Sequence, residues 1–173
     1  MLKQNLIKRL RSLRNLELFN IVWLPACLYV ILSPVDHVNW PAYALAMACV
    51  CIMLAQGALY WHVKLHTVLK YRASLPAWAY RIFPVCKRAD MAVLSLYPIL
   101  YAAGRFSTHI EFEVSFWSNA VYVFAVLEYV NYYYYQLSHD NKNDIRYLMI
   151  NKKIRRAPLW KDMLCHPKMK SFL

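Results

Sequence analysis

The stretch FWSNAVYVFAVLEYVNYYYY, residues 116–135, carries one charge, Glu128, in twenty residues. As a helix it would be about 30 Å long, the thickness of the hydrocarbon core of a bilayer. Three more apolar runs, 16–32, 41–63 and 90–106, repeat the pattern upstream. The chain of 173 residues is 60% hydrophobic and 16% aromatic, with 2 glycines. A soluble domain of this size must cover its surface with polar groups, and this composition cannot do so. The expected fold is therefore all-α and polytopic, with four transmembrane helices at 16–32, 41–63, 90–106 and 116–135. An amphipathic N-terminal segment, 1–15, and a basic cytoplasmic tail, 136–173, flank the bundle.

Charge sets the expected orientation. Twenty of the 21 Lys and Arg fall before the first run, between the second and third, or after the fourth. The one left, Arg105, falls at the far end of the third run, and the other two loops hold none. By the positive-inside rule both termini are cytoplasmic, and the chain belongs in a bacterial inner membrane. The net charge of +12 is spread over helix ends rather than gathered on a folded basic module, so anionic phospholipid is the expected partner and nucleic acid is not. The sequence after the first run, SPVDHVNW, lacks a small-x-small cleavage pattern, so that run reads as a retained signal anchor. Cys27, Cys49, Cys51, Cys86 and Cys165 all fall in spans or on the cytoplasmic side, and no disulfide is expected.

The flanks have periodicity of their own. Leu6, Leu10 and Leu13 recur at helical spacing beside Lys8, Arg9, Arg11 and Arg14, which suits a helix lying on the inner leaflet before the chain turns inward. LPAWAYRIF, residues 75–83, reads as an interfacial loop. In the tail, Ile145, Leu148 and Met149 form a stripe ahead of NKKIRR. Pro158 then opens a short helix bearing Trp160, Met163 and Leu164. These segments are expected to rest on headgroups, Arg9, Arg11, Arg14, Lys152, Lys153, Arg155 and Arg156 supplying the charge. The prolines in WLP (Trp23–Pro25) and LYP (Leu96–Pro98), together with matches between the second and fourth runs, also suggest a repeated hairpin offset by about 72 residues.

Polar residues inside the spans gather near the cytoplasmic side. Counting inward, Gln56 lies about 23 Å down the second run and Glu128 about 18 Å down the fourth. Glu17, Asn20, Gln56, His62, Glu128 and Asn131, with Tyr132 and Tyr135, are the expected lining of a polar pocket. Glu128, Asn131, Tyr132, Tyr135 and His139 share one helical face. Four consecutive tyrosines, Tyr132 to Tyr135, step 100° apart and so read as an interfacial collar, with two of them closing over Glu128. A charged Glu128 facing lipid would cost several kcal/mol, so it must face the bundle, be paired, or hold a proton. His62 and His66 have the i, i+4 spacing of a two-imidazole metal site, but interfacial histidines more often sit in headgroups, and no metal or other cofactor is expected. Asp36, His37, His109, Glu111 and Glu113 read as solvated turns.

No nucleophile elbow, phosphate-binding loop or metal-type cysteine pair is present. The pattern LEYVNYYYYQLSHDNKNDIRYL followed by RRAPLWKD, with LELFN in the first run and QGALYWHVKL in the second, resembles a family of small bacterial membrane proteins labelled "general stress protein". That resemblance implies four helices and no assigned activity or catalytic residues. The sequence thus points to a non-enzymatic membrane module that binds anionic lipid or a membrane partner. Two alternatives stay open: a membrane-embedded metal or acid–base enzyme using His62, His66 and Glu128, and an oligomeric proton or cation transporter or channel.

Overall fold

The computed structural model describes residues 2–35, 39–106, 116–137, 146 and 149–164, except the side chains of 2 and 104–106. The readings of Asp36, His37, His109, Glu111, Glu113, His139, Ile145, Leu148 and Cys165 lie outside the described residues. Five helices are named here: α1 (Leu2–Leu32), α2 (Trp40–Leu69), α3 (Ala79–Phe106), α4 (Phe116–Tyr133) and α5 (Pro158–Leu164). The described residues contain no strand beyond one isolated antiparallel bridge between Tyr135 and Arg156. The chain is all-α.

Helix α2 is the centre of the molecule and packs against α1, α3 and α4. Asn39 caps its start, the side chain accepting from the Ala42 amide at 3.0 Å, and Pro41 occupies the first turn, where its missing N–H costs nothing. Small residues (Ala42, Ala46, Cys49, Gly57, Ala58) are buried along its length and let neighbours approach closely. Gly57 is the tightest point. A Cβ there would lie 2.2 Å from the Tyr132 hydroxyl, so the Tyr132 ring packs directly on the α2 backbone.

The structure departs from the sequence reading at three places. Residues 1–15 and 16–32 are not separated by a turn: α1 runs unbroken from Leu2 to Leu32. Between Leu2 and Leu24 the chain has no Gly or Pro and is rich in Leu, Lys and Arg, so nothing local stops the helix. The third helix begins at Ala79, eleven residues before Asp90, and takes in most of LPAWAYRIF. The tail does not merely rest on headgroups. It doubles back so that the Gln136 amide donates to the Arg155 carbonyl at 2.8 Å and the Ala157 amide to the Tyr134 carbonyl at 3.0 Å. This seats α5 with Leu159 and Met163 in the core.

Two of the three interior prolines, Pro25 and Pro98, each orphan the carbonyl four residues earlier, and in both cases the next helix repairs the loss. Pro25 frees the Ile21 carbonyl, which accepts from Cys51 Sγ of α2 at 3.8 Å. Pro98 frees the Leu94 carbonyl, which accepts from the Tyr122 hydroxyl of α4 at 3.2 Å. The two repairs occupy matching places in the two hairpins. The Tyr122 ring also stacks on Tyr97 of α3, centroids 4.3 Å apart and nearly parallel, so one residue both seals the α3–α4 seam and satisfies its kink.

Among the described residues, two helical stretches are long and apolar enough to cross a membrane: Lys3–Leu32 and Trp40–Leu69. Helix α4 is shorter, and its tyrosines, Trp117, asparagines and Glu128 lower its hydropathy; α3 opens with Arg81, Lys87, Arg88 and Asp90.

Candidate functional site

Each of the four consecutive tyrosines meets a different element, because a helix turns 100° per residue. The Tyr132 hydroxyl donates to Glu17 Oε1 of α1 at 2.5 Å. The Tyr133 hydroxyl lies 2.6 Å from Gln56 Oε1 of α2 and 3.0 Å from Asp90 Oδ2 of α3. The Tyr134 ring stacks over Trp160 of α5, and Lys87 of α3 sets its ammonium 4.3 Å from both ring centroids. Tyr135 forms the backbone bridge to Arg156. The run is a four-way tie rather than a collar: Tyr132 and Tyr133 are buried, their hydroxyls held by side chains of neighbouring helices.

Between α1, α2, α4 and the returning tail lies a cleft of about 380 Å³. Leu6, Leu10, Leu13, Leu16 and Leu24 of α1 form one wall, with Leu54, Phe124 and Leu159 opposite. The leucine stripe assigned by sequence to the inner leaflet therefore faces this cleft, and Leu10 is 3% exposed. Glu17, Asn20, Glu128, Asn131, Tyr132 and Gln136 supply polar groups, and Arg9, Lys64 and Arg155 supply cations. Asn131 Nδ2 lies 3.4 Å from Glu128 Oε2, while its oxygen accepts from the Leu137 amide at 2.8 Å and so holds the chain that follows α4.

Of the polar-pocket residues expected from sequence, Glu17, Asn20, Glu128, Asn131 and Tyr132 share this cleft. Gln56 does not line it and instead bonds Asp90 and Tyr133. Tyr135 is 51% exposed. His62 lies with His66, ring centroids 4.5 Å apart, along a separate shallow groove with Thr67, Lys70, Arg72 and Trp78. The two histidines and Glu128 thus line different depressions. Among the described residues no group of three or more His, Cys, Asp or Glu could hold a metal ion. Of the expected headgroup ligands, Arg9 and Arg155 line the cleft. Arg14 bonds Asn15, and Arg11, Lys152, Lys153 and Arg156 are exposed.

Sequence reasoning missed the role of the tail. Asp162 of α5 accepts from Lys64 at 2.6 Å and from the Tyr60 hydroxyl at 2.7 Å, which fixes Lys64 at the cleft and closes its end with Pro158 and Leu159. It also missed Asp90, taken as the first residue of a span. The signal was present: a helix beginning near the aromatic-rich Ala79–Phe83 puts Asp90 three turns in, where a carboxyl group needs partners. At the same end of the bundle, the Lys3 ammonium stands 3.0 Å from the Tyr71 ring centroid. Hydrogen bonding to Lys3, then its charge, holds the Tyr71 hydroxyl below its usual range.

No protein-family model matches this chain, nor does any curated protein or solved structure. Residue roles therefore rest on the chain's own geometry.

Proposed function

We propose that this chain is a four-span protein of the bacterial cytoplasmic membrane, termini inside, whose cleft holds a lipid with an anionic headgroup. The observation that carries the reading is the cleft's polarity: a leucine-lined channel that reaches Arg9, Lys64 and Arg155 at the basic end of the bundle. Acyl chains fit the leucines; a phosphate fits the cations, Arg bidentately. The contact of Lys3 with Tyr71, and of Lys87 with Tyr134 and Trp160, supports a common level for the basic segments of α1, α2, α3 and the tail.

The outer surface supports four spans. Val22 (72% exposed), Ile99 (58%) and Val123 (55%) face outward from α1, α3 and α4. Between residues 18–31, 44–59, 91–102 and 116–127 no exposed residue is charged. Apolar faces of that extent on every large helix suit lipid, not water. Tyrosine and tryptophan depress average hydropathy while remaining at home in a bilayer, which is why α4 falls short on composition and still fits a span.

Native mass spectrometry of protein released from nanodiscs of mixed zwitterionic and anionic lipid tests the reading. Wild type is expected to retain one anionic lipid in preference to the zwitterionic one. Neutralising both arginines, Arg9→Gln with Arg155→Gln, is expected to lower that retention at least tenfold, about 1.4 kcal/mol. Equal retention by wild type and variant would remove the cleft as the site.

A further inference from the structure

Outside the cleft, three side chains from three helices close a ring. Gln56 Nε2 of α2 donates to Asp90 Oδ1 of α3 at 2.7 Å. The Tyr133 hydroxyl of α4 lies 2.6 Å from Gln56 Oε1 and 3.0 Å from Asp90 Oδ2. Asp90 is 1% exposed and Tyr133 3%. The groups that face Asp90 besides these are Cys49 of α2, Cys86 of α3 and Tyr129 of α4. Among the described residues no Lys, Arg or His pairs with it. Lys87, one turn earlier, is turned to Tyr134 and Trp160.

The ring has three edges, and each needs one proton between its heavy atoms. The amide supplies one, because its NH2 touches a single edge. The tyrosine supplies one. An ionised carboxylate supplies none, which leaves two oxygens in contact with lone pairs facing each other. We infer that Asp90 supplies the third proton, and that this cluster is a proton-binding site separate from the lipid cleft.

The bonds then run in one direction round the ring. Gln56 Nε2–H donates to Asp90 Oδ1, Asp90 Oδ2–H donates to the Tyr133 oxygen, and Tyr133 O–H donates to Gln56 Oε1. Turning the amide over reverses the circulation: Gln56 donates to Tyr133, Tyr133 to Asp90, and Asp90 to Gln56. The count of three protons is the same, so the inference does not depend on which amide atom is nitrogen. A neutral acid here also avoids an uncompensated charge in the bundle. The reaction is simple association: the carboxylate takes one proton, and nothing is oxidised or reduced. Release of that proton breaks one edge, so occupancy of the site is coupled to the junction of α2, α3 and α4. The sequence reading kept proton handling at Glu128 as one alternative; the ring adds Asp90 as a separate group.

Infrared spectroscopy of the purified full-length protein at neutral pH tests this. Wild type labelled with 13C at the aspartate carboxyl is expected to show a carboxylic-acid C=O band displaced from its unlabelled position. The band is expected to vanish in Asp90→Asn, whose amide offers the same donor and acceptor and so keeps the ring. The labelled wild type needs no variant to fold: aspartate absorbing only as carboxylate would overturn the inference. So would an acid band that persists in Asp90→Asn. Should that variant not fold, Tyr133→Phe removes the oxygen that Asp90 bonds. The labelled band is then expected to move to higher frequency, and an unmoved band would overturn the inference.

Discussion

Replacing Gly57 with alanine is expected to destabilise the protein by about 1–3 kcal/mol, the usual cost of overfilling a packed interior. The direction is what makes the result informative. At an open helical position the same change stabilises by about 1 kcal/mol, since glycine is a poor helix former. Here the added methyl would meet the hydroxyl, Cζ and Cε1 of Tyr132 at 2.2 to 2.7 Å. Tyr132 is 7% exposed, so its ring has little room to swing aside. Relief would require moving α4 away from α2 and drawing the Tyr132 hydroxyl off Glu17. Pairing Gly57→Ala with Tyr132→Leu should recover part of the loss, a non-additivity seen only where two residues share one space. A stabilising Gly57→Ala would mean that α4 does not approach α2 as described.

The tyrosine run gives the second large effect, and it is a contrast within four adjacent residues. Tyr132→Phe and Tyr133→Phe are each expected to cost about 1.5–3 kcal/mol, the range for hydrogen bonds to charged groups and for stranded buried polar groups. The first removes the donor to Glu17; the second opens the ring and leaves Gln56 and Asp90 short of a partner. Tyr134→Phe keeps the ring that stacks over Trp160 and lies by Lys87, and Tyr135 acts through its backbone. Both of those variants are expected within about 0.5 kcal/mol of wild type, as for ordinary surface positions. Denaturant unfolding in one detergent compares all four. Equal losses, or none, would restore the interfacial collar.

The extent to which the fold was legible in the sequence followed local signals. Helices α2 and α4 begin within a residue of their expected starts, because Asn39-Trp40-Pro41 is a capping sequence and an uncharged run opens at Phe116. The start of α3 was hidden because Arg81, Lys87 and Arg88 read as loop charges, although a helix emerging from the basic end can carry them in its first turns. That misplacement hid Asp90. The continuity of α1 was hidden for a related reason: a change of polarity at Leu16 marks a change of surroundings, not a break in the backbone. Within the cleft, Glu128, Asn131 and Tyr132 of α4 were legible from helical spacing and Glu17 and Asn20 of α1 from their depth, whereas the α1 leucines were assigned to the membrane surface. Gln56 was not, since facing direction depends on which neighbour α2 meets at each level, and that is set by long-range packing. The docking of α5 was out of reach: nothing local says that Asp162 meets Lys64, 98 residues earlier.

Accessibility of residue 115 tests the four-span architecture most directly. With the five native cysteines replaced, Ser115→Cys in sealed inside-out or right-side-out vesicles is treated with a membrane-impermeant maleimide. Labelling is expected only from the side opposite the basic segments, the result required if α3 crosses and α4 returns. Labelling from the same side as a cysteine placed at Ser74 would mean that only α1 and α2 cross, and would contradict that architecture.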